Sequence, residues 1–420
     1  MTDAITKSPM QKAPLRGTWA RLLAVAGPGI VVMLADTDAG SVITAAQSGA
    51  EFGYKLLLFQ LILVPILYMV QELTVRLGVV TGKGHAELIT QHFGRFWAWV
   101  SVAALIVACL GAVLSELSGL AGAGALFGVP KIVTMALVVG LLIIMAITGS
   151  YLTIERIAIA VGLFELLFIY VAWQAQPAGA ELARGLFDMP LGNSKYLLLI
   201  SANIGAVIMP WMVFYQQSSV VEKGLTTDDM PAARLDTAIG ALITQLIMAA
   251  VLVATAATIG KAGANAPLDT VEQIAGALTP FLGQTTGRII FALAISGSAV
   301  VATIVVTLTA ARTIGEVLGV PHKLAAAPRE ARWFYGVYAL TLLAGAAIVT
   351  SGADLVSISV GVQVLNALLL PLVLGFLYLL AVRLPEPWRL QGWYSWVVAV
   401  VMGVTAVFGV YAAVMGLIGG

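Results

Sequence analysis

The sequence is poor in cysteine and histidine. Its one cysteine, Cys109, lies within an apolar run, which excludes a disulfide framework and a thiolate cluster for metal. The three histidines, His85, His92 and His322, fall in predicted cytoplasmic loops, where we expect them to be solvated. The sequence contains no Walker loop, no Ser-His-Asp grouping and no His/Cys metal motif, so we expect no enzymatic activity and no resident cofactor.

Charge is also scarce. Charged residues make up 10% of the 420 positions and the formal net charge is +1, so the chain has no basic field that would attract a nucleic acid. Hydrophobic residues make up 60% of the chain, a fraction that indicates a helical membrane protein rather than a soluble domain. The lipid bilayer is therefore its expected surroundings. The sequence leaves the oligomeric state open, with a monomer as one option.

Long apolar segments make up almost the whole chain. A membrane-spanning helix needs about 20 mostly apolar residues, and eleven segments meet that requirement, the first and the sixth being interrupted. We predict an all-α polytopic membrane protein with a cytoplasmic tail at 1–18 and a transporter domain at 19–420. The predicted spans are 19–49, 54–79, 97–126, 131–150, 154–175, 195–222, 236–260, 286–318, 333–351, 354–382 and 391–418.

Lysine and arginine are distributed unevenly between the two sides of the predicted membrane. When the N-terminus is placed in the cytoplasm, most of the 22 lysines and arginines fall in inside segments. Inside loops of membrane proteins carry such an excess. We therefore expect a multi-pass protein of the cell membrane with its N-terminus in the cytoplasm and its C-terminus outside, as an odd number of spans requires.

The first apolar segment is interrupted by Asp36-Thr37-Asp38-Ala39-Gly40-Ser41, near the predicted middle of the bilayer. Carboxylates at that depth are costly and commonly mark an ion path or a binding site. The sixth segment is interrupted before Pro210, which removes a backbone donor, and Gly205 and Ala206 offer little steric resistance to unwinding. Both segments are therefore predicted to be broken helices.

The two broken segments lie five spans apart. This spacing is typical of two five-helix repeats of inverted topology, with the binding site where the two breaks meet. We expect the architecture to resemble that of LeuT-like transporters. We place the repeats at about 19–175 and about 195–382, with the helix at 391–418 as an addition.

The residues at the two breaks are a mixed set of potential metal ligands. Asp38 offers a carboxylate, Ser41 a hydroxyl, and the unwound chain at Ala206 a carbonyl oxygen. Met209 offers a thioether, although a methionine in a span is also compatible with core packing. Oxygen ligands suit Mg²⁺ and Mn²⁺, whereas a thioether favours transition metals over Mg²⁺ and Ca²⁺.

The same residues resemble the Nramp family of divalent metal transporters. The family's D-P-G-N motif is similar to Asp38-Ala39-Gly40-Ser41, and its helix-six motif G-A-x-x-M-P-H is similar to Gly205–Pro210. Further similarities are Gly27-Pro28-Gly29 and a glutamine of helix ten, here Gln363. The resemblance implies an eleven-helix fold with metal ligands at Asp38, Ser41, Ala206 and Met209, and with Gln363 approaching the ion in one conformation.

The chain also departs from the family pattern. Asp36 is an additional carboxylate, which we include among the candidate ligands, and Ser41 shortens the motif asparagine. Trp211 and Gln216 stand where the family has histidines, and the family's acidic pair on helix three is not reproduced, with Glu116 one place away. Because a proton route needs groups that titrate, we expect weak or absent proton coupling.

These features leave several functions to compare. The first is an importer of divalent metal ions, with Mn²⁺ preferred and Fe²⁺ or other transition ions as further substrates. The second is a Mg²⁺ transporter of the same fold, which the additional carboxylate Asp36 favours. The third is an organic-solute symporter, against which Asp36 and Asp38 would repel an anionic substrate. A structural membrane protein is the fourth, and it would not need acids at mid-membrane.

Two further acids have simple structural predictions. Glu165, isolated among apolar residues, is expected to hydrogen-bond to a neighbouring helix. Asp354, which follows Ser351-Gly352-Ala353, is expected to cap the N-terminus of a helix at the outer surface.

Overall fold

The computed structural model describes residues 27–148, 153, 156–157, 160–161, 163–258, 268, 270–278, 280, 282–319, 332–352 and 354–419. Every regular element among these residues is helical. The predicted cytoplasmic tail at 1–18 and His322 lie outside the described residues, so those two predictions stay predictions.

The α-helices follow the apolar segments of the sequence closely. Short 3₁₀ turns at Gly53–Leu56, Leu163–Leu166 and Thr227–Asp229 connect some of them. In chain order the α-helices are α1 Pro28–Asp36, α2 Ala39–Phe52, α3 Leu57–Thr81, α4 His85–Phe93, α5 Arg95–Ala125, α6 Lys131–Thr148, α7 Leu167–Gln174, α8 Gly179–Gly185, α9 Ser194–Val207, α10 Pro210–Glu222, α11 Met230–Thr258, α12 Val271–Leu278, α13 Gln284–Leu318, α14 Arg332–Thr350, α15 Leu355–Ala381 and α16 Gly392–Ile418.

The membrane-spanning character of these helices agrees with the sequence. Within the described residues, eight helical stretches are long and apolar enough to cross a membrane, α2 with α3 and α9 with α10 each counting as one. Shorter apolar helices cover Leu163–Gln174 and Tyr335–Thr350. Together with α1, these helices fall within all eleven predicted apolar segments, although residues 19–26 and most of 154–162 lie outside the described part of the chain. The prediction of an all-α polytopic membrane protein is confirmed.

The first segment is broken where the sequence predicts. Helix α1 ends at Asp36, and α2 begins at Ala39 after the non-helical Thr37 and Asp38. Asp38 is the N-cap of α2, because its carboxylate accepts a hydrogen bond from the backbone N–H of Ser41 at 2.5 Å. The helix therefore stops and restarts at the pair of carboxylates.

The sixth segment is broken in the same way. Helix α9 ends at Val207, Met209 is extended with φ −86° and ψ 140°, and α10 starts at Pro210. Proline suits the first position of a helix, where its missing N–H leaves no bond unmade. The proline therefore starts α10 instead of kinking a continuous helix, and Ile208 and Met209 between α9 and α10 lie outside both helices.

The two broken segments lie at the centre of the helix bundle. Helices α9 and α10 are buried along almost their whole length, whereas α6 keeps most of its surface exposed at the periphery. Helix α11 packs against α1, α2 and α3, and α15 packs against α9 and α2. The breaks are thus enclosed by other helices, which is where non-helical backbone is tolerated at membrane depth.

Helix α11 begins earlier than the sequence predicts. The expected start was residue 236, but the helix starts at Met230, and the 3₁₀ turn before it is closed by reciprocal bonds between Thr226 and Asp229. Met230 and Ala233 are buried in one apolar cluster with Val75 and Val79 of the last two turns of α3. Hydropathy alone misplaces this boundary because Asp229 and Arg234 lower the apolar content of a turn that packing makes helical.

Candidate metal site

The two helix breaks meet at a hydrogen bond. The Ser41 hydroxyl of α2 donates to the backbone carbonyl oxygen of Ala206 in α9 at 3.2 Å, and both residues are buried. The carbonyl belongs to the last turn of α9, where helical acceptors are left without intrahelical donors. The structure therefore brings together two of the residues that the sequence placed in one site.

Asp38 lies beside this contact. Its Oδ1 accepts from the Ser41 N–H, and the Gln363 amide nitrogen lies 3.5 Å from the same oxygen. No described N–H or hydroxyl group donates to its Oδ2, and the side chain is fully buried. A buried carboxylate oxygen without a donor is costly unless a cation or a proton satisfies it. Asp38 thus presents an oxygen that is suited to a metal ion.

Gln363 of α15 reaches the site from a third element. While its amide nitrogen faces Asp38, its Oε1 accepts from the side chain of Asn366 at 2.9 Å. A ligand role would require the amide to turn its oxygen toward the ion. Close backbone packing holds α15 in place, because a Cβ at Gly205 would collide with the Gln363 carbonyl and one at Gly40 with its side chain.

Met209 occupies the break before α10 and is fully buried. Its sulfur accepts a hydrogen bond from the indole N–H of Trp211 at 3.1 Å. Trp211 is itself fully buried at the start of α10. The thioether is therefore held at the break by its neighbour two residues on, instead of filling an apolar gap without a polar partner.

Asp36 ends α1 next to the site. Its side chain is buried, and neither carboxylate oxygen has a hydrogen-bond partner among the described residues. The negative charge of Asp38, two residues away, repels that of Asp36. Asp36 therefore adds a second carboxylate at the break, although it makes no hydrogen bond to Ser41 or Ala206 and its role as a ligand stays a prediction.

Glu116 of α5 joins the site more closely than its sequence position indicates. Its Oε2 accepts from the Ala39 backbone N–H at 3.1 Å, and its carboxyl lies within hydrogen-bonding range of Asp38. The residue is fully buried. Glu116 lies one position away from the acidic position of the family, so comparison with the family motif does not predict that it belongs to the site. Its place on the inward face of α5 is the signal that would have found it.

Glu165 approaches the same region from the turn before α7. Its carboxyl is buried close to Thr37, Asp36 and Asp38, but neither of its oxygens has a hydrogen-bond partner among the described residues. The expected hydrogen bond to a neighbouring helix is therefore not observed. Within the described part of the chain, however, no three His, Cys, Asp or Glu side chains are arranged to hold a metal ion. Any metal here needs the mixed ligands of the two breaks.

A cavity of about 500 Å³ lies at one end of the broken helices, and its polar lining includes Gln47 and Glu51 of α2, Lys195 of α9 and Asp354 of α15. It extends to Val364, next to Gln363, but not to Asp38. Asp354 caps α15 through the backbone N–H groups of Val356 and Ser357, as predicted. The site is thus separated from this cavity.

The opposite end is closed by polar contacts to the broken helices. The Asp236 carboxylate of α11 accepts from the backbone N–H of Gly29 at 2.7 Å and of Gly27 at 3.3 Å, at the start of α1. Arg312 of α13 forms a 2.5 Å ion pair with Glu222 at the end of α10. Both half-helices are therefore anchored at this end while the site is buried.

His85 belongs to the same closed end, and the expectation of a solvated histidine is wrong for it. The ring is fully buried at the start of α4, where Nδ1 lies 2.8 Å from Gln217 Oε1 and the ring packs edge-on against Phe214. Burial lowers the pKa of His85 to about 4, against the opposing effect of the Gln217 contact. His92, on the same short helix, is exposed as expected.

A sequence comparison identifies the family. Residues 29–415 match the model of the Nramp family, described as natural resistance-associated macrophage protein-like. The chain belongs to the Nramp family. A curated relative, the divalent metal cation transporter MntH of Mesorhizobium japonicum, is 30% identical over 313 residues, which cover 70% of this chain and 68% of the relative. Nramp relatives are transporters, so the expectation that the chain is not an enzyme is confirmed.

Solved structures support the fold. The chain superposes on the manganese transporter of Eremococcus coleocola with a TM-score of 0.75 at 18% identity, covering 97% of this chain and 90% of the other. MhsT, solved in complex with L-phenylalanine, matches with a TM-score of 0.59 at 14% identity, covering 96% of this chain and 99% of the other. The LeuT-like architecture expected for this Nramp chain is confirmed.

Proposed function

We propose that this protein carries divalent metal ions, Mn²⁺ in preference, across the cell membrane by alternating access. The observation that carries the proposal is the buried Oδ2 of Asp38, to which no described N–H or hydroxyl group donates, beside the hydrogen bond between Ser41 and the Ala206 carbonyl. Membership of the Nramp family and the similarity to a divalent metal cation transporter support the same class of substrate. The metal ion is cargo, and no resident cofactor is part of the proposal.

The ligand set favours a transition metal. Asp38, Ser41 and the Ala206 carbonyl supply hard oxygens, which Mn²⁺ and Mg²⁺ both accept. Met209 would add a thioether, which stabilises Mn²⁺, Fe²⁺ and softer ions more than Mg²⁺. Gln363 would complete the shell after its amide turns. Mn²⁺ is therefore the substrate that uses all of these groups.

Mg²⁺ is the second candidate, and two observations favour it. Asp36 and Glu116 bring additional carboxyl groups to the break, and the Met209 sulfur already accepts a hydrogen bond from Trp211. Hard ligands around a partly hydrated ion suit Mg²⁺, which keeps several of its waters. An organic anion is disfavoured, since these buried carboxylates would repel it.

The proposed orientation places the N-terminus and the closed end of the bundle, with Asp236 and Arg312, in the cytoplasm. The distribution of lysine and arginine supports this orientation. A dication that enters down the membrane potential gains about 4.6 kcal/mol per 100 mV, twice the value for one charge. Uptake then needs no proton, which fits the tryptophan and glutamine at the positions of the family histidines.

The test is uptake into proteoliposomes. Purified protein is reconstituted, and Mn²⁺ and Mg²⁺ influx are measured at matched concentrations against protein-free vesicles. We expect Mn²⁺ influx that saturates and is stronger than Mg²⁺ influx. Saturable Mg²⁺ influx without Mn²⁺ influx would replace the first candidate by the second, and no influx of either ion would reject the proposed function.

A further inference from the structure

The indole of Trp211 has one polar group, its N–H, and this group needs an acceptor because the side chain is fully buried. Its acceptor is the sulfur of Met209, at an N–S distance of 3.1 Å. A thioether is a weak acceptor, and buried indole N–H groups more often bond to oxygen. The pairing therefore links a strongly fixed side chain to the one soft ligand of the candidate site.

The local backbone explains why this pairing is rigid. Met209 is extended before α10, Pro210 occupies the first helical position, and Trp211 stands in the first turn of that helix. The indole is fixed by the helix and by its complete burial, whereas the methionine side chain has three rotatable bonds. Trp211 thus determines where the sulfur lies, and not the reverse.

The hydrogen bond also changes the chemistry of the sulfur. A thioether sulfur has two lone pairs, and the indole N–H engages one of them. The bond draws electron density from the sulfur and leaves one lone pair for an ion. Since soft ions depend on sulfur donation more than hard ions do, the effect is larger for Cd²⁺ than for Mn²⁺ or Mg²⁺.

We infer that Trp211 is a positioning residue that limits the preference of this site for soft metal ions through its hydrogen bond to Met209. The inference rests on the proposed function, because it assumes that Met209 faces the transported ion. It assigns a role to the position where the family has a histidine. Trp211 would affect the binding of soft divalent cations, represented by Cd²⁺, more than the binding of harder ones, represented by Mn²⁺.

The test is the ratio of Cd²⁺ to Mn²⁺ affinity, measured by calorimetric titration of purified full-length protein. Trp211→Phe removes the N–H and retains an aromatic ring. We expect the ratio to rise by about threefold to tenfold, the range that corresponds to one hydrogen bond. In the background of Met209→Leu, which lacks the sulfur, Trp211→Phe should leave the ratio unchanged. Trp396→Phe is the control on the exposed face of α16 and should also leave the ratio unchanged.

A second variant covers the case in which Trp211→Phe does not fold. β-(3-Benzothienyl)alanine, introduced at position 211 by amber suppression, keeps the shape of the indole and replaces only its N–H by sulfur. An unchanged or lowered ratio in a folded variant overturns the inference, as does an effect that persists without the Met209 sulfur. If the wild-type protein binds neither Mn²⁺ nor Cd²⁺, the proposed function itself fails. If the wild-type protein binds these ions but the ratio does not rise in the variants, only the inference about Trp211 fails.

Discussion

The Ser41 hydroxyl donates a 3.2 Å hydrogen bond to the Ala206 carbonyl oxygen, and this bond connects the first broken helix to the second. Each residue lies in the last or first turn beside a break, where backbone groups are free of the helical ladder. An ion that binds Asp38 would compete for both the hydroxyl and the carbonyl. Ion binding would thus act on the contact that holds the two breaks together.

Replacing Met209 tests the soft ligand. Met209→Ala should weaken Mn²⁺ and Cd²⁺ binding by more than about tenfold, because even the loss of a group that only contacts a metal ligand commonly costs that much. Mg²⁺ binding should weaken less. The measurement is titration with the three ions. Met212→Ala, at a buried methionine in the first turn of α10, is the matched control for lost packing. Equal losses for Cd²⁺ and Mg²⁺ would assign Met209 to packing and favour the Mg²⁺ alternative.

Proton coupling is tested with a pH-sensitive dye inside proteoliposomes. Because Trp211 and Gln216 do not titrate, we expect metal influx without stoichiometric acidification. Asp36→Asn should then leave the internal pH trace unchanged. Acidification that scales with metal flux and disappears in Asp36→Asn would contradict uncoupled transport, and its loss in Glu116→Gln alone would assign the proton to the carboxyl beside Asp38.

The Asp236 carboxylate should stabilise the closed end of the bundle. Asp236→Ala leaves the N–H groups of Gly27 and Gly29 without their acceptor, and each unmet buried donor costs about 1–3 kcal/mol. We expect a lower melting temperature in detergent. Asp228→Ala, an exposed acid in the turn before α11, is the control and should melt like wild type. Equal melting of both variants would show that this anchor does not contribute to stability.

His85 should make stability depend on pH. Its folded pKa of about 4 lies below the ordinary 6.5, so the folded state binds fewer protons than the unfolded state between these values. The free energy of unfolding is therefore not reduced by His85 above pH 6.5. It falls as the pH is lowered toward 4, by about 3 kcal/mol in total. Melting temperatures of His85→Gln should lack this component, whereas those of His92→Gln should keep it. Parallel curves for wild type and His85→Gln would refute the prediction.

The breaks themselves were predictable from the sequence because they depend on local chemistry. Pro210 cannot continue the helical ladder of α9, and Asp38 can cap a helix that starts at Ala39. Both signals are visible in a short stretch of residues. The repeat spacing then implies that the breaks meet, and the bond between Ser41 and Ala206 confirms this for two of the candidate residues.

Other features depend on packing that no local signal reports. The rotation of α5 about its axis decides whether the Glu116 side chain faces lipid or Ala39. A shift of one position along the helix would turn this side chain to a different face. The burial of His85 depends on Phe214 and Gln217, which are more than a hundred residues away in sequence. The pairing of Trp211 with Met209 could not be read from their spacing, because it follows from the extended conformation of Met209.

The central claim is that a divalent ion binds at Asp38, and calorimetric titration of Mn²⁺ into purified protein tests it most directly. The wild-type protein and Asp188→Ala, a largely exposed acid that pairs with Lys55, should bind Mn²⁺ alike. Asp38→Ala and Asp38→Asn should show no measurable binding while melting as folded proteins. Wild-type Mn²⁺ affinity in folded Asp38→Ala would contradict the account.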